Sequence, residues 1–133
     1  MHTIDQLVYI SRSLLPEDQA VDSLNDITGI ANRLNRENEI TGALALVEGH
    51  FVQLLEGAPA ALDLLLIHLH FDARHDQIEV VARERVPHRS IPDWGMIAPP
   101  LGHSIPPSLA PLLQTRPTQI EPWRAALIET VLA

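Results

Sequence analysis

The sequence predicts one α+β domain, in which two helices cover one face of a mixed sheet and a helical cap covers the other. Three observations lead to this prediction. Short apolar runs alternate as strands do, and longer stretches repeat apolar residues at helical spacing. The 133 residues, of which 46% are hydrophobic, suit a single domain with its own core.

The first strand and the first helix are predicted near the N-terminus. Leu7, Tyr9 and Ser11 fall on the same face of a strand. Pro16 then suits the first turn of a helix, and apolar residues follow it at steps of three and four. We expect this helix to end near Asn38.

A hairpin and a second helix come next. The apolar runs 40–47 and 51–57 flank a Glu48-Gly49 turn, which is typical of two antiparallel strands. Residues 59–71 then repeat leucine at helical spacing, so we expect one face of this helix to pack on the sheet. The leucines of that face are Leu62, Leu65, Leu66 and Leu69.

The last strands and a C-terminal helix complete the predicted domain. Residues 78–86 alternate, and their outward charged side chains suit an edge strand, while residues 94–97 offer a short final strand. After a proline-rich stretch from residue 99, an apolar helical stripe is expected to cover the other face of the sheet. That stripe is Ile120, Trp123, Leu127 and Val131.

This order, βαββαββ, is that of ferredoxin-like folds with one added strand. In such folds the first and third strands lie side by side at the centre, and both helices lie on one face. Tyr9 and Gln53 therefore become neighbours, although the residues that adjoin Gln53 in its strand are apolar. Because buried polar groups need partners, we expect the groove between the helices to have a polar floor suited to a flat ligand.

The composition argues against several classes of function. The net charge is -8 and the nine basic residues include no Lys, which does not suit general nucleic-acid binding. Arg83, Arg85, His88 and Arg89 form one basic cluster, which we expect to be a solvated edge. No apolar stretch approaches the ~20 residues of a membrane span. With no export segment after Met1 and no cysteine, we expect a cytoplasmic protein without a membrane partner.

The residues give little support for catalysis. The seven histidines include no set at metal-ligand spacing, and no serine has the Gly-x-Ser-x-Gly setting of a nucleophile. A phenol beside a carboxamide suits recognition of an acceptor-rich aromatic ring better than turnover. Helix spacing places Asn35, His68, Leu69 and Asp72 near the predicted groove, although Asn35 alone is more typical of a helix cap.

Several short motifs are specific in combination. They are Tyr9-x-Ser11, Asn35, Ile40-Thr41-Gly42, Gly49-x-Phe51-x-Gln53-x-x-Glu56-Gly57, Asp72-x-Arg74-His75 and Trp94-x-Met96. Together, over residues 5–98, they closely resemble the BLUF family of blue-light sensors that use flavin. The resemblance implies a flavin-binding domain at residues 1–98, followed by a proline-rich segment and helical cap at residues 99–133. It implies that the flavin, usually FAD, is held non-covalently between the two helices.

The resemblance also implies roles for individual residues. Tyr9 would donate to the photoexcited flavin and Gln53 would bridge Tyr9 and the flavin, with Ser11 nearby. Trp94 and Met96 would fill the switchable place beside Gln53. The residues that it implies as flavin contacts are Ile27, Asn35, Gln53, His68, Leu69, Asp72, Arg74 and His75. Leu34 departs from the family pattern, which often has Asn or His there, and this implies one fewer hydrogen bond to the ring.

We therefore expect a photoreceptor rather than an enzyme. Light would rearrange the hydrogen bonds around Tyr9 and Gln53, and the change would reach an unidentified downstream protein or alter assembly as a homo-oligomer. FMN stays open beside FAD. Two alternatives are a photochemically inactive ferredoxin-like interaction module and a small hydrolase such as an acylphosphatase. The hydrolase needs a phosphate-cradling loop, and Arg12-Ser13 lacks the glycines for one.

Overall fold

A five-stranded mixed sheet forms the centre of the computed structural model, which describes residues 4–13, 37–47, 49–71, 75–91, 96–97 and 109–132. The strands are β1 (Ile4–Ser13), β2 (Thr41–Val47), β3 (His50–Gly57), β4 (His75–Val86) and β5 (Met96–Ile97). The helices are α1 (Pro59–His70), α2 (Ala110–Thr115) and α3 (Ile120–Leu132). The strand order β4-β1-β3-β2-β5 places β1 and β3 side by side.

The pairing of the strands confirms the predicted ferredoxin-like topology. β3 is antiparallel to both β1 and β2, and β4 is antiparallel to β1. β5 pairs in parallel with β2, which makes the sheet mixed. The predicted first helix lies outside the described residues, apart from its last two positions at residues 37–38.

Alternation along the strands divides their side chains between two apolar clusters. One cluster lies under α1, whose Leu62 is fully buried in it. Leu65, Leu66 and Leu69 pack against the same cluster, as the leucine spacing predicted. The strand residues of this surface, called the α1 face below, are Leu7, Tyr9, Leu44, Phe51 and Leu55.

The opposite surface of the sheet, called the α3 face, is covered by the C-terminal helix. Ile120, Trp123 and Leu127 share a buried cluster with residues of β1, β2 and β3, which confirms the predicted cap. The indole Nε1–H of Trp123 donates to the carbonyl oxygen of Pro117 at 2.8 Å, so this buried side chain keeps a polar partner. The side chain of Val131 lies outside the described residues.

The short helix α2 was not predicted, because its segment is rich in proline. Pro111 falls in the first turn of α2, where a missing N–H costs no intrahelical hydrogen bond. Within the described ranges, no helix is long and apolar enough to cross a membrane.

β4 is an edge strand, as predicted, and begins at His75 rather than at residue 78. Its register against β1 shifts twice, and Gln77 has a left-handed backbone with φ of 53°. These irregularities increase twist and interrupt the regular pairing surface of an otherwise long edge strand.

Arg83 ties β4 to both β1 and α1. Its guanidinium donates to Asp5 Oδ2 at 2.9 Å and to Asp63 Oδ1 at 2.7 Å. The hydrogen bond with Asp63, together with that of Asp5, raises the pKa of Arg83 against the opposing effect of burial. Arg83 therefore stays cationic and holds the N-terminal half of α1 against the sheet edge.

Candidate functional site

Tyr9 and Gln53 lie directly opposite each other on the antiparallel strands β1 and β3. Both residues are buried, with relative exposures of 2% and 6%. Tyr9 belongs to the α1-face cluster. Because directly opposed residues of antiparallel strands share a face, Gln53 points to the same side. The structure thus brings together the two residues that the sequence singled out.

Ser11 adds a third polar group to this face. It is 1% exposed and lies opposite Phe51, two positions along β1 from Tyr9. Leu44 of β2 lies opposite Gln53 on the other side of β3. The phenol, the hydroxyl and the amide therefore form a polar floor framed by an aromatic and an aliphatic side chain. The predicted groove above it also needs the first helix, most of which lies outside the described residues.

α1 supplies a wall beside this floor. Leu69 is half-buried and packs against the cluster that contains Tyr9. The neighbouring His68 is exposed, so its imidazole can contact a ligand only at the solvent-accessible edge of this wall. The wall is thus apolar near the sheet and polar towards solvent.

The remaining predicted site residues are described in part or not at all. His75 begins β4 opposite Ser13, and Met96 pairs with Gly42, but the side chains of His75 and Met96 are outside the described set. Ile27, Leu34, Asn35, Asp72, Arg74 and Trp94 fall outside the described residues. Their roles stay predictions from the resemblance.

The described groups fit a flavin ring. A phenol can donate a hydrogen bond, and a carboxamide offers donors and an acceptor on one planar group. In the apolar surroundings of the α1 face these hydrogen bonds are stronger than they would be in water. The floor is therefore suited to a flat ring whose edge carries carbonyl oxygens and ring nitrogens.

Sequence reasoning missed a second set of buried polar residues, on the α3 face. Gln6 and Glu56 are directly opposed on β1 and β3, and both are fully buried. The Gln6 side-chain amide donates to Glu56 Oε2 at 2.6 Å. For Gln6, the signal that could have found it is strand alternation, which places it on the same face as Val8 and Ile10.

The prediction of a solvated basic edge is wrong for Arg89. This residue is half-buried, and its Nη1 donates to Thr41 Oγ1 at 2.9 Å and to the main-chain oxygen of Glu56 at 3.0 Å. Its Nη2 donates to the main-chain oxygen of Glu39 at 2.6 Å. Arg89 thus binds β2, β3 and the residue before Ile40 through hydrogen bonds, and it is not a solvated surface charge.

The fold and the buried phenol–carboxamide pair together define a small ferredoxin-like domain that suits a flat aromatic ligand. The family model BLUF, described as sensors of blue-light using FAD, matches residues 4–97. The chain belongs to this family of blue-light sensors.

Curated relatives agree with this assignment. Photoactivated adenylate cyclase subunit beta of Euglena longa is 32% identical over 91 residues, which are 68% of this chain and 11% of that relative. The blue light- and temperature-regulated antirepressor BluF of Escherichia coli K12 is 32% identical over 87 residues, which are 65% of this chain and 22% of that relative. The chain thus spans less than a quarter of the length of either relative.

Solved structures extend the similarity to nearly the whole chain. The dark-state structure of BlrB, a BLUF protein, matches with a TM-score of 0.71 and 26% identity, over 95% of this chain and 97% of that one. The photo-activated state of BlsA matches with a TM-score of 0.79 over 98% of this chain and 96% of that one. With 22% identity, BlsA supports the fold alone.

Proposed function

We propose that this chain binds FAD non-covalently on the α1 face and signals through a light-driven rearrangement of the hydrogen bonds around Tyr9 and Gln53. The observation that carries the proposal is the direct opposition of these two buried residues on the central strands. FAD is preferred to FMN because the family is described by its use of FAD.

Flavin, when bound, supplies the absorption of blue light and a strong oxidant in its excited state. Tyr9 would supply an electron to that oxidant, and only then would its Oη proton pass to the side-chain oxygen of Gln53, because a neutral amide is too weak a base to take a proton from an intact phenol. That amide has one donor end and one acceptor end, so rotation or tautomerisation exchanges the end that faces Tyr9. Burial keeps water from replacing the new hydrogen bonds, so the rearranged state persists until it reverts in darkness.

Other residues are proposed to hold the ligand or to respond to it. Ser11 supports Tyr9, while Trp94 and Met96 occupy the switchable place beside Gln53. Support for the ligand contacts comes from the resemblance and, for Leu69, from its packing against the Tyr9 cluster. The proposed flavin contacts are Ile27, Asn35, Gln53, His68, Leu69, Asp72, Arg74 and His75.

The wider role follows from the same proposal. Residues 1–98 sense light, and residues 99–133 form a separate segment whose helix α3 covers the sheet. The chain acts as a sensor rather than as an enzyme, and it signals to a downstream protein as a homo-oligomer in the cytoplasm. The net charge of -8 supports a protein partner over nucleic acid or an anionic membrane surface.

The test is an absorption spectrum of the purified, flavin-loaded protein before and after blue light. We expect a flavin spectrum that shifts reversibly to the red. The ligand is then released by heating the protein, and chromatography of the released ligand distinguishes FAD from FMN. A protein that takes up no flavin, or whose bound flavin shows no shift, would contradict the proposal and favour an interaction module without photochemistry.

A pair of matched variants assigns the shift to Gln53. Gln53→Leu is expected to keep flavin bound and to lose the shift, because leucine has no hydrogen-bonding group. Gln114→Leu makes the same chemical change at an exposed position of α2 and is expected to behave as the parent protein. Equal shifts in the two variants would exclude Gln53 from the photoactive pair.

A further inference from the structure

Glu56 lies three positions after Gln53 on β3, on the opposite face of the sheet, and it is fully buried. Its Oε1 accepts hydrogen bonds from Thr41 Oγ1 at 2.9 Å and from the Ile91 amide at 2.8 Å. Its Oε2 accepts from the Gln6 side chain at 2.6 Å and from the Ser90 amide at 2.5 Å. These bonds use the roughly four lone-pair positions of a carboxylate.

The hydrogen bonds of Glu56 connect three elements that are distant in sequence. Thr41 begins β2, and Gln6 lies near the start of β1. Ser90 and Ile91 belong to the segment that leads from β4 towards β5. If β3 moves at this position, its bonds to β1, β2 and that segment either break or make those elements move with it.

Gln6 extends the connection to the C-terminal helix. Its side-chain nitrogen also donates to Ser90 Oγ at 3.0 Å, and its side-chain oxygen accepts from Arg124 Nη1 at 2.9 Å. Arg124 lies in the second turn of α3. A continuous line of hydrogen bonds thus runs from β3 through Glu56 and Gln6 to α3.

Arg89, which directly precedes Ser90, attaches the segment that leads to β5 at a further point. Its bonds to Thr41 Oγ1 and to the main-chain oxygen of Glu56 hold residue 89 against β2 and β3. The segment is therefore attached to the start of β2 and the end of β3, the two strands that contain Leu44 and Gln53. Because β5 pairs with β2 at Gly42 and Ala43, movement of this segment and of β5 is coupled.

We propose that Glu56 is the positioning residue through which a change at Gln53 reaches both α3 and the segment before β5. The inference rests on the proposed photochemistry of the α1 face. A buried carboxylate with four donors holds them more firmly than a neutral acceptor does, because bonds to an ionised group are stronger. β3 and its attached elements thus move together, and Glu56 carries the change from the ligand face of the sheet to the opposite one.

The test compares hydrogen exchange of the full flavin-loaded chain in darkness and under blue light, with the absorption shift recorded on the same samples. In the parent protein we expect light to change the exchange rate of amides in α3 and at residues 90–91. In Glu56→Gln an NH2 group replaces one of the two acceptor oxygens, so a donor faces other donors. We expect this variant to keep its absorption shift, while the light-to-dark ratio of exchange rates in α3 falls to about one.

Glu84→Gln is the matched control, since Glu84 is hydrogen-bonded to α3 directly. Its Oε2 accepts from the Ile120 amide at 2.9 Å at the start of that helix, and the described contacts do not join it to β3. We expect this variant to loosen the first turn of α3 in darkness and to keep the light-dependent change in the later turns. If Glu56 had only a structural role, Glu56→Gln and Glu84→Gln would both keep the light-dependent change in the later turns of α3.

Arg124→Met removes the hydrogen bond between Arg124 and Gln6, the last one of the series, and keeps most of the side-chain volume. It is the variant to use if Glu56→Gln does not fold. We expect an intact absorption shift and loss of the light-dependent change in α3. A light-dependent change that persists in either variant, or that is absent from α3 in the parent while its absorption shifts, would overturn the role of Glu56. Absence of the absorption shift from the parent would instead contradict the proposed photochemistry.

Discussion

Tyr9 and Gln53 are direct cross-strand partners, and their shared face is the one that α1 covers. Residues in this relation have Cβ atoms only about 5 Å apart. Their side chains therefore rise from the same small area of the sheet, where one ligand can contact both.

Replacement of Tyr9 by phenylalanine is the most direct consequence. We expect Tyr9→Phe to keep flavin bound, because the ring still fills the same volume, and to lose the red shift, because the phenolic proton is gone. Difference absorption under blue light measures this. The chain has one tyrosine, so isotope-labelled tyrosine reports on Tyr9 alone in infrared or NMR spectra. A retained shift in Tyr9→Phe would show that the phenol is not required.

Asn35 gives a prediction about binding rather than photochemistry. If its side chain holds the flavin edge, Asn35→Ala weakens flavin binding and leaves the shift of the remaining bound flavin intact. Loss of one hydrogen bond to a neutral partner corresponds to roughly 0.5–1.5 kcal/mol, a few-fold to about tenfold in Kd. Titration of the flavin-free protein measures it. Asn38→Ala, at an exposed turn position, is the control with unchanged affinity.

The two carboxylates that share Arg83 should differ in their effect on stability. The Asp5 side chain is 9% exposed and that of Asp63 is 63% exposed. We expect Asp5→Asn to lower the free energy of unfolding by about 1–3 kcal/mol, because a buried charged partner is lost. Asp63→Asn should cost less than about 1 kcal/mol, as exposed ion pairs do, and less still at high salt. Urea unfolding at two salt concentrations tests both, and equal losses would contradict the prediction.

Gly57 ends β3 where there is little room for a side chain. A Cβ at this position would lie 3.1 Å from Ile40 Cγ1 and 3.5 Å from the Glu39 main-chain oxygen. Ile40 is 3% exposed and cannot move away freely, so we expect Gly57→Ala to cost about 1 kcal/mol despite the higher strand propensity of alanine. The cost should disappear when Gly57→Ala is introduced into an Ile40→Ala background. If it persists there, the contact with Ile40 is not its cause.

The start of α1 is a site where stability can be gained. Ala58 occupies the N-cap with an extended backbone (φ −60°, ψ 140°), and no side chain caps the helix. Ala58→Ser adds an acceptor for the free N–H groups of the first turn and should raise the free energy of unfolding by about 1 kcal/mol. Ala60→Ser makes the same chemical change at the second residue of the helix, away from the cap position, and should change it by less than about 0.5 kcal/mol. Denaturant midpoints compare the two, and the prediction fails if Ala58→Ser is the less stable variant.

Much of the sheet could be predicted because burial on both faces leaves clear patterns in the strands. The same patterns located Tyr9 and Gln53, since a polar residue in an apolar strand stands out. Other features depend on contacts that no local pattern encodes. The role of Arg89 follows from a loop that brings it back to Thr41, and the left-handed backbone of Gln77 follows from the irregular pairing of β4.

Glu56 shows a second reason why part of the structure could not be predicted from the sequence. A glutamate beside a glycine at the end of a strand is typical of a solvated turn, whereas here it is enclosed by donors from β1, β2 and residues 90–91. Sequence alone assigns no partners to such a residue, because those donors are contributed by segments up to fifty positions away. Only the packed arrangement shows that its charge is satisfied.

If flavin binds on the α1 face as proposed, the two faces of β3 separate light detection from signal transmission. Odd-numbered positions such as Gln53 lie on the α1 face, and even-numbered positions such as Leu54 and Glu56 lie on the face covered by the C-terminal helix. Evolution can therefore refit the even positions to a new effector without altering colour sensitivity. A protein engineer who grafts a foreign tail onto this chain has the same short set of positions to redesign.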